Sequence, residues 1–306
     1  MFKKLIPATA FILAGTLFLH FLVQRAMDAE KGFFQDLFLK NNKEISFLVA
    51  RSLFDQLRQM KRRTEGFAHL LSKEEFNPGK LRDYFRYNFE SDPFISGIRI
   101  HQIEAQKWTE LYNITAQVRP NSFYLGVVEK NLTRVYDRNR DWFSPPFQIP
   151  GSKGGRPSFS WIQMVRASRK NSIPGVMESR IDIGALFESS SRLVRSGRGG
   201  VLLVQRGLGI LSPEKGGWQL SEADMDQIFQ QPMGGFLRVT ENSTNLLSFC
   251  SLRVLDRLNM PDWSVVVIED QREMKKVTQR LEWNLFVLLG VGVLCLLLLA
   301  KLFFFR

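Results

Sequence analysis

Two long apolar runs bracket this chain. Leu5 to Val23 reads LIPATAFILAGTLFLHFLV, and Leu285 to Phe305 reads LFVLLGVGVLCLLLLAKLFFF. At 1.5 Å rise per residue, each is long enough to cross about 30 Å of hydrocarbon as a helix. The pattern predicts transmembrane helices at 5–23 and 284–305. The first run has a basic start like a signal peptide. Its small-x-small site, Ala8-Thr9-Ala10, lies inside the run, and Gln24-Arg25-Ala26-Met27 is a poor cleavage site, so an uncleaved anchor is expected. Lys3 and Lys4 place residues 1–4 in the cytoplasm. With two spans, the intervening segment of about 260 residues faces the other side and the C-terminus returns. Trp283 marks the outer interface, and Lys301 can snorkel to the inner one. The expectation is a two-pass membrane protein with a large domain on the far side from its termini and no output domain of its own.

The pattern between the spans changes twice. From 27 to 72, Phe34, Leu37, Phe38, Ile45, Leu48, Val49, Leu53, Leu57, Met60, Phe67 and Leu71 follow helical spacing. This predicts one long stalk helix. Asn77-Pro78-Gly79 then breaks the pattern. Short alternating runs follow at 95–102, 110–118, 158–168 and 175–182, which read as strands. An amphipathic helix follows at 183–195. A second, smaller cycle begins at 199–213 with strand, glycine turn and strand. LSEADMDQIFQQ (220–231) reads as a helix capped by Ser221 with Asp224 three residues on. Strands at 235–241, 246–255 and 263–270 complete the cycle. A helical connector, 271–283, leads back to the membrane. The expected fold class is α+β, with a membrane-distal unit at 80–195 and a membrane-proximal unit at 198–270.

Composition narrows the function. Forty-two Lys+Arg stand against 30 Asp+Glu, a net charge of +12. These cations are spread along the chain without a nucleic-acid motif, so no nucleic-acid partner is expected. Anionic lipid or an anionic ligand suits the charge better. The two cysteines, Cys250 and Cys295, are expected to stay unpaired, because Cys295 lies in an apolar run. No zinc-like cluster and no nucleophile, base or paired-carboxylate constellation stands out. Neither an enzyme nor a cofactor is expected.

The stretch VYDRNRDWFSPPF (135–147) mixes charge and aromatics. Together with the long helix, GVMESRIDIGALF (175–187), VLLVQRGLGILSP (201–213) and DWSVVVIED (262–270), it resembles the double Cache, PAS-like sensor domains of bacterial chemoreceptors and sensor histidine kinases. The resemblance implies two stacked PAS-like units carried on a long helix between two membrane helices. It implies a homodimer paired along 27–72. It also implies a small anionic or amino-acid-like ligand, usually held by the distal unit.

In amino-acid-binding members an Arg-x-Trp-Tyr motif, further tyrosines and a downstream Asp hold the ligand. Arg140 and Trp142 match; Phe143 stands for the Tyr. Tyr136 lies one residue from the expected upstream position. Trp161 is among the few aromatics that follow, and Asp182 stands in the expected run. A guanidinium can grip a carboxylate through two parallel hydrogen bonds, and Asp182 could take an ammonium. The alternative is structural, with Trp142 as a core residue and Arg140 paired with Asp137 or Asp182.

Three functions therefore fit the sequence. One is a sensor acting on a separate membrane or cytoplasmic signalling protein. Another is a Cache scaffold that binds no small ligand. The third is the sensor half of a truncated receptor.

Overall fold

The computed structural model describes residues 2–73, 78–89, 92, 94–102, 106–113, 132, 135, 141–148, 157–165, 175–192, 200–211, 218–239, 244–255 and 262–304. Helix α1 (Phe2–Lys73) is followed by α2 (Pro78–Phe89), β1 (Ile95–Gln102) and β2 (Lys107–Asn113). Then come β3 (Trp142–Phe143), β4 (Phe147–Gln148), β5 (Pro157–Val165), β6 (Gly175–Asp182) and α3 (Ile183–Ser191). The second half contains β7 (Gly200–Gln205), β8 (Gly209–Ile210), α4 (Glu222–Gln230), β9 (Met233–Val239) and β10 (Thr244–Ser251). A 3-10 turn (Leu252–Leu255), β11 (Trp263–Asp270) and α5 (Gln271–Phe304) complete it.

Local chemistry explains several boundaries. Pro78-Gly79, read from sequence with Asn77 as a breaker alone, also starts a helix. Pro78 opens α2, where its missing N–H is not needed. Leu81, Phe85 and Phe89 recur every four residues and are buried. The Phe67 ring of α1 lies 5.2 Å from Phe85 and 4.6 Å from Phe89. Ser221 caps α4 through a reciprocal box: its Oγ accepts from Asp224 N–H at 3.2 Å, and Asp224 Oδ2 accepts from Ser221 N–H at 2.8 Å. The β7–β8 turn places Gly207 and Gly209 at φ of 78° and 83°, where a Cβ would be strained.

The chain forms two compact units. The first comprises residues 1–42, 236–247 and 269–306. Within it α1 and α5 run antiparallel in steady register. A Cβ on Gly15 would meet Leu296 at 2.8 Å, and one on Gly292 would meet Leu19 at 3.0 Å. Farther along, Lys31 pairs with Glu282 at 3.0 Å, and Asn42 donates to Glu269 at 2.6 Å. Each glycine receives a leucine from the other helix, the close packing that small residues allow. Both helices have a segment long and apolar enough to cross a membrane.

The second unit comprises residues 43–235 and 248–268. One sheet has strand order β2-β1-β6-β5-β3, with β4 also on β5. Its pairings are antiparallel. In the other sheet the strands that lie in this unit pair in the order β8-β7-β11. A continuous core joins Val49, Leu53, Leu57 and Met60 of α1 to Ile98, Ile100, Phe159, Trp161, Met177 and Ile181 of the first sheet. The same core takes in Leu203, Trp263 and Val265 of the second sheet. Phe159 and Trp263 meet edge to face at 5.3 Å, a favoured aromatic geometry. Cys250 and Cys295 are both free.

Candidate functional site

Side chains along a strand alternate between faces, and β5 and β6 divide accordingly. Phe159, Trp161, Met177 and Ile181 enter the core shared with α1. On the opposite face Ile162 and Val176 cluster with Leu132 and Val135, and Trp108, Trp142, Phe147 and Met164 pack against them. This outer face is not simply apolar. It carries Arg99 from β1, Glu110 from β2, Ser160 from β5, and Glu178 and Arg180 from β6.

These groups form two ion pairs. Glu178 is fully buried; one carboxylate oxygen accepts from Arg99 Nε and the other from Ser160 Oγ. The Arg99 guanidinium also lies 4.1 Å above the centre of the Trp108 ring, a cation–π contact. Arg180 donates through Nη2 to Glu110 Oε1 at 2.7 Å. A buried charge is tolerated only with a partner, and each of these has one. Gly97 on β1, beside a register shift, sits under Arg180. A Cβ there would lie 2.6 to 2.9 Å from guanidinium atoms. Glycine is therefore what lets the guanidinium rest on β1.

No protein-family model matches the sequence, and no curated protein matches it as a relative. Solved structures do match. One is the ligand-binding domain of the Campylobacter jejuni chemoreceptor Tlp3 in complex with L-valine: 11% identity, TM-score 0.54, covering 78% of this chain and 95% of that one. Another is that of the Pseudomonas aeruginosa amino-acid chemoreceptor PctB with L-Gln: 13%, 0.53, covering 76% and 90%. A third, PctC of the same organism with GABA, gives 16% and 0.50, covering 74% and 97%. At such identities the likeness is one of fold. The fold is the one these ligand-binding domains share, the double Cache fold.

Within this double Cache fold the six sequence candidates separate. Tyr136 and Arg140 lie outside the described residues. Trp142 is half-buried on the outer face, its Cα opposite Ile162. Asp182 is on the same face of β6, where its Oδ1 caps α3 by accepting from Ala185 N–H at 2.9 Å. Phe143 and Trp161 instead stand on the inner face, with ring centres 4.9 Å apart. Asp141 points inward too: its Oδ2 accepts from Trp161 Nε1 at 3.2 Å and lies 3.8 Å from Lys61 of α1. The Asp141-Trp142-Phe143 stretch thus fastens to the stalk helix on one side and presents Trp142 on the other. Sequence reasoning missed Arg99, Glu110, Glu178 and Arg180. The available signal was charge at alternate positions of otherwise apolar strands, as in MESRID.

Proposed function

We propose that this chain is a membrane-anchored extracytoplasmic sensor for a small anionic or amino-acid-like ligand. The ligand binds the outer face of the first sheet, in the distal unit at 80–195. Arg140 and Tyr136 act there with Trp142 and Asp182, while Phe143 and Trp161 support them from the inner face. The proximal unit, 198–270, connects the site to the membrane. The protein spans the bacterial inner membrane twice, pairs as a homodimer along 27–72, and signals through α1 and α5 to a separate partner protein. One observation carries this reading: buried cations and indole rings share one face of a sheet whose fold recurs in domains solved with L-valine, L-Gln and GABA. Such a surface offers a carboxylate both charge-assisted donors and exclusion of water.

The test is a melting series on the full chain in detergent micelles, against L-valine, L-glutamine, L-alanine, GABA, acetate and succinate. A ligand at 100 times its dissociation constant stabilises by about 2.7 kcal/mol, or roughly 5–10 °C for a domain this size. The shift should disappear in Arg140→Ala. A flat series would overturn the sensor reading. It would favour a second one, a scaffold whose charges are structural, which draws support from Arg99 and Arg180 already being paired within the chain.

A further inference from the structure

The two outer-face arginines are held differently. Arg99 pairs with Glu178, and both are buried. The Arg180 side chain is only 2% exposed, yet its partner Glu110 is 49% exposed. Glu110 takes Nη2 alone. Among the described residues, Arg180 Nε has no hydrogen-bond partner although it is shut off from solvent. A guanidinium presents Nε–H and Nη2–H side by side, the spacing of a carboxylate's two oxygens. Glu110 thus occupies half of a two-pronged site from a half-exposed position on β2. Meanwhile Gly97 and burial fix the guanidinium itself.

We propose that Arg180 is the anchor for the ligand's carboxylate, and that Glu110 is a built-in competitor which holds the anchor until the ligand displaces it. This rests on the sensor reading above and adds to it a recognition residue and a switch. A ligand carboxylate gains both donors of the Nε/Nη2 edge, where Glu110 has one. The displaced Glu110 remains solvated, because it is already half in water, so its release costs little. Binding then frees β2 from β6 at the side-chain level, which gives the ligand-free and bound forms different contacts across the first sheet. The class of ligand follows: a carboxylate is required, and its size is set elsewhere.

The experiment measures dissociation constants by titration calorimetry on the full chain in micelles. The probes are L-alanine, L-glutamine, L-valine, GABA and propionate, with propylamine as the carboxylate-free control. The variants are Glu110→Gln and Arg180→Lys, each checked for wild-type secondary structure by circular dichroism. Glu110→Gln takes the charge from the competitor and weakens its hold on Nη2, and should tighten carboxylate binding about ten-fold. Arg180→Lys keeps the charge but loses the fork, and should weaken it about ten-fold or more. Propylamine should be unaffected by either. Wild-type binding that neither variant changes would overturn the anchor and leave the sensor reading standing. Weaker binding in Glu110→Gln would overturn the competitor. No binding by wild type or by Glu110→Gln would overturn the sensor reading itself.

Discussion

Replacing Gly97 with alanine tests whether the Arg180 guanidinium is locked in place. The new Cβ would sit 2.6 Å from Nη2, 2.8 Å from Cζ and 2.9 Å from Nε, where ordinary contact needs about 3.4 Å. An arginine tip could normally step aside. Here it is buried and bonded to Glu110 at 2.7 Å, so a retreat of several tenths of an ångström stretches that bond toward its limit. Overpacking of this kind costs about 2 kcal/mol, which lowers the melting temperature by roughly 4–8 °C for a unit of this size. The assay is thermal unfolding of the full chain in micelles, followed by tryptophan fluorescence, for Gly97→Ala, Glu110→Gln and the double variant. If the alanine acts by dislodging Arg180 from Glu110, the two changes strike one interaction. The double variant should then melt well above the sum of the two losses. Strict additivity, or a Gly97→Ala protein as stable as wild type, would refute the claim that Gly97 seats the guanidinium.

Asp141→Ala leaves the buried Trp161 Nε1–H without its acceptor, and should cost about 1–3 kcal/mol with a changed near-ultraviolet dichroism of the indole. Lys61→Met should cost far less, since its contact with Asp141 is long at 3.8 Å and partly solvated. Gly292→Leu should force α5 off Leu19. A bifunctional thiol reagent joining cysteines at 31 and 282, in a Cys295→Ser background, should then give less cross-linked product. Burial pushes the Cys250 thiol up to about 11 from its ordinary 9.0. Below pH 9 both folded and unfolded chains keep this proton, so the group's contribution is intact. Between about pH 9 and 11 the unfolded chain releases the proton and the folded one keeps it, so stability falls by about 2–3 kcal/mol. Cys250→Ala should therefore melt below wild type at pH 8, and the gap should narrow by pH 10.5.

The sequence by itself determined the elements whose signal is local. Alternation set β1 at 95–102, and the apolar run WSVVVIED set β11 at 263–270, to the residue. Ser221 and Asp224 start α4 because the capping box closes within one turn. Helical spacing of large apolar residues from Phe34 to Leu71 matches a helix that the structure continues unbroken from Phe2 to Lys73. Local signals were weaker elsewhere. Pro78 reads as a stop or a start with equal ease, and α2 was missed. The two-residue strands β3 and β4 have no pattern of their own and exist only because β5 offers partners.

Tertiary structure alone decided the faces. A period of two states that Trp142 and Phe143 point opposite ways, but only the packing of β5 on α1 settles which way is inward. That packing sends Phe143 and Trp161 into the core and leaves Trp142 beside the charged face. Alternation would equally have sent Arg99, Glu178 and Arg180 to solvent, where charged residues in strands usually stand. They are buried because β6, distant in sequence, packs against β1 and brings opposite charges from β1 and β2 to its own, at pairings 79 and 70 residues apart along the chain. Desolvation then makes each charge depend on its partner. No local window of sequence contains that dependence, and the proposed site is built from it.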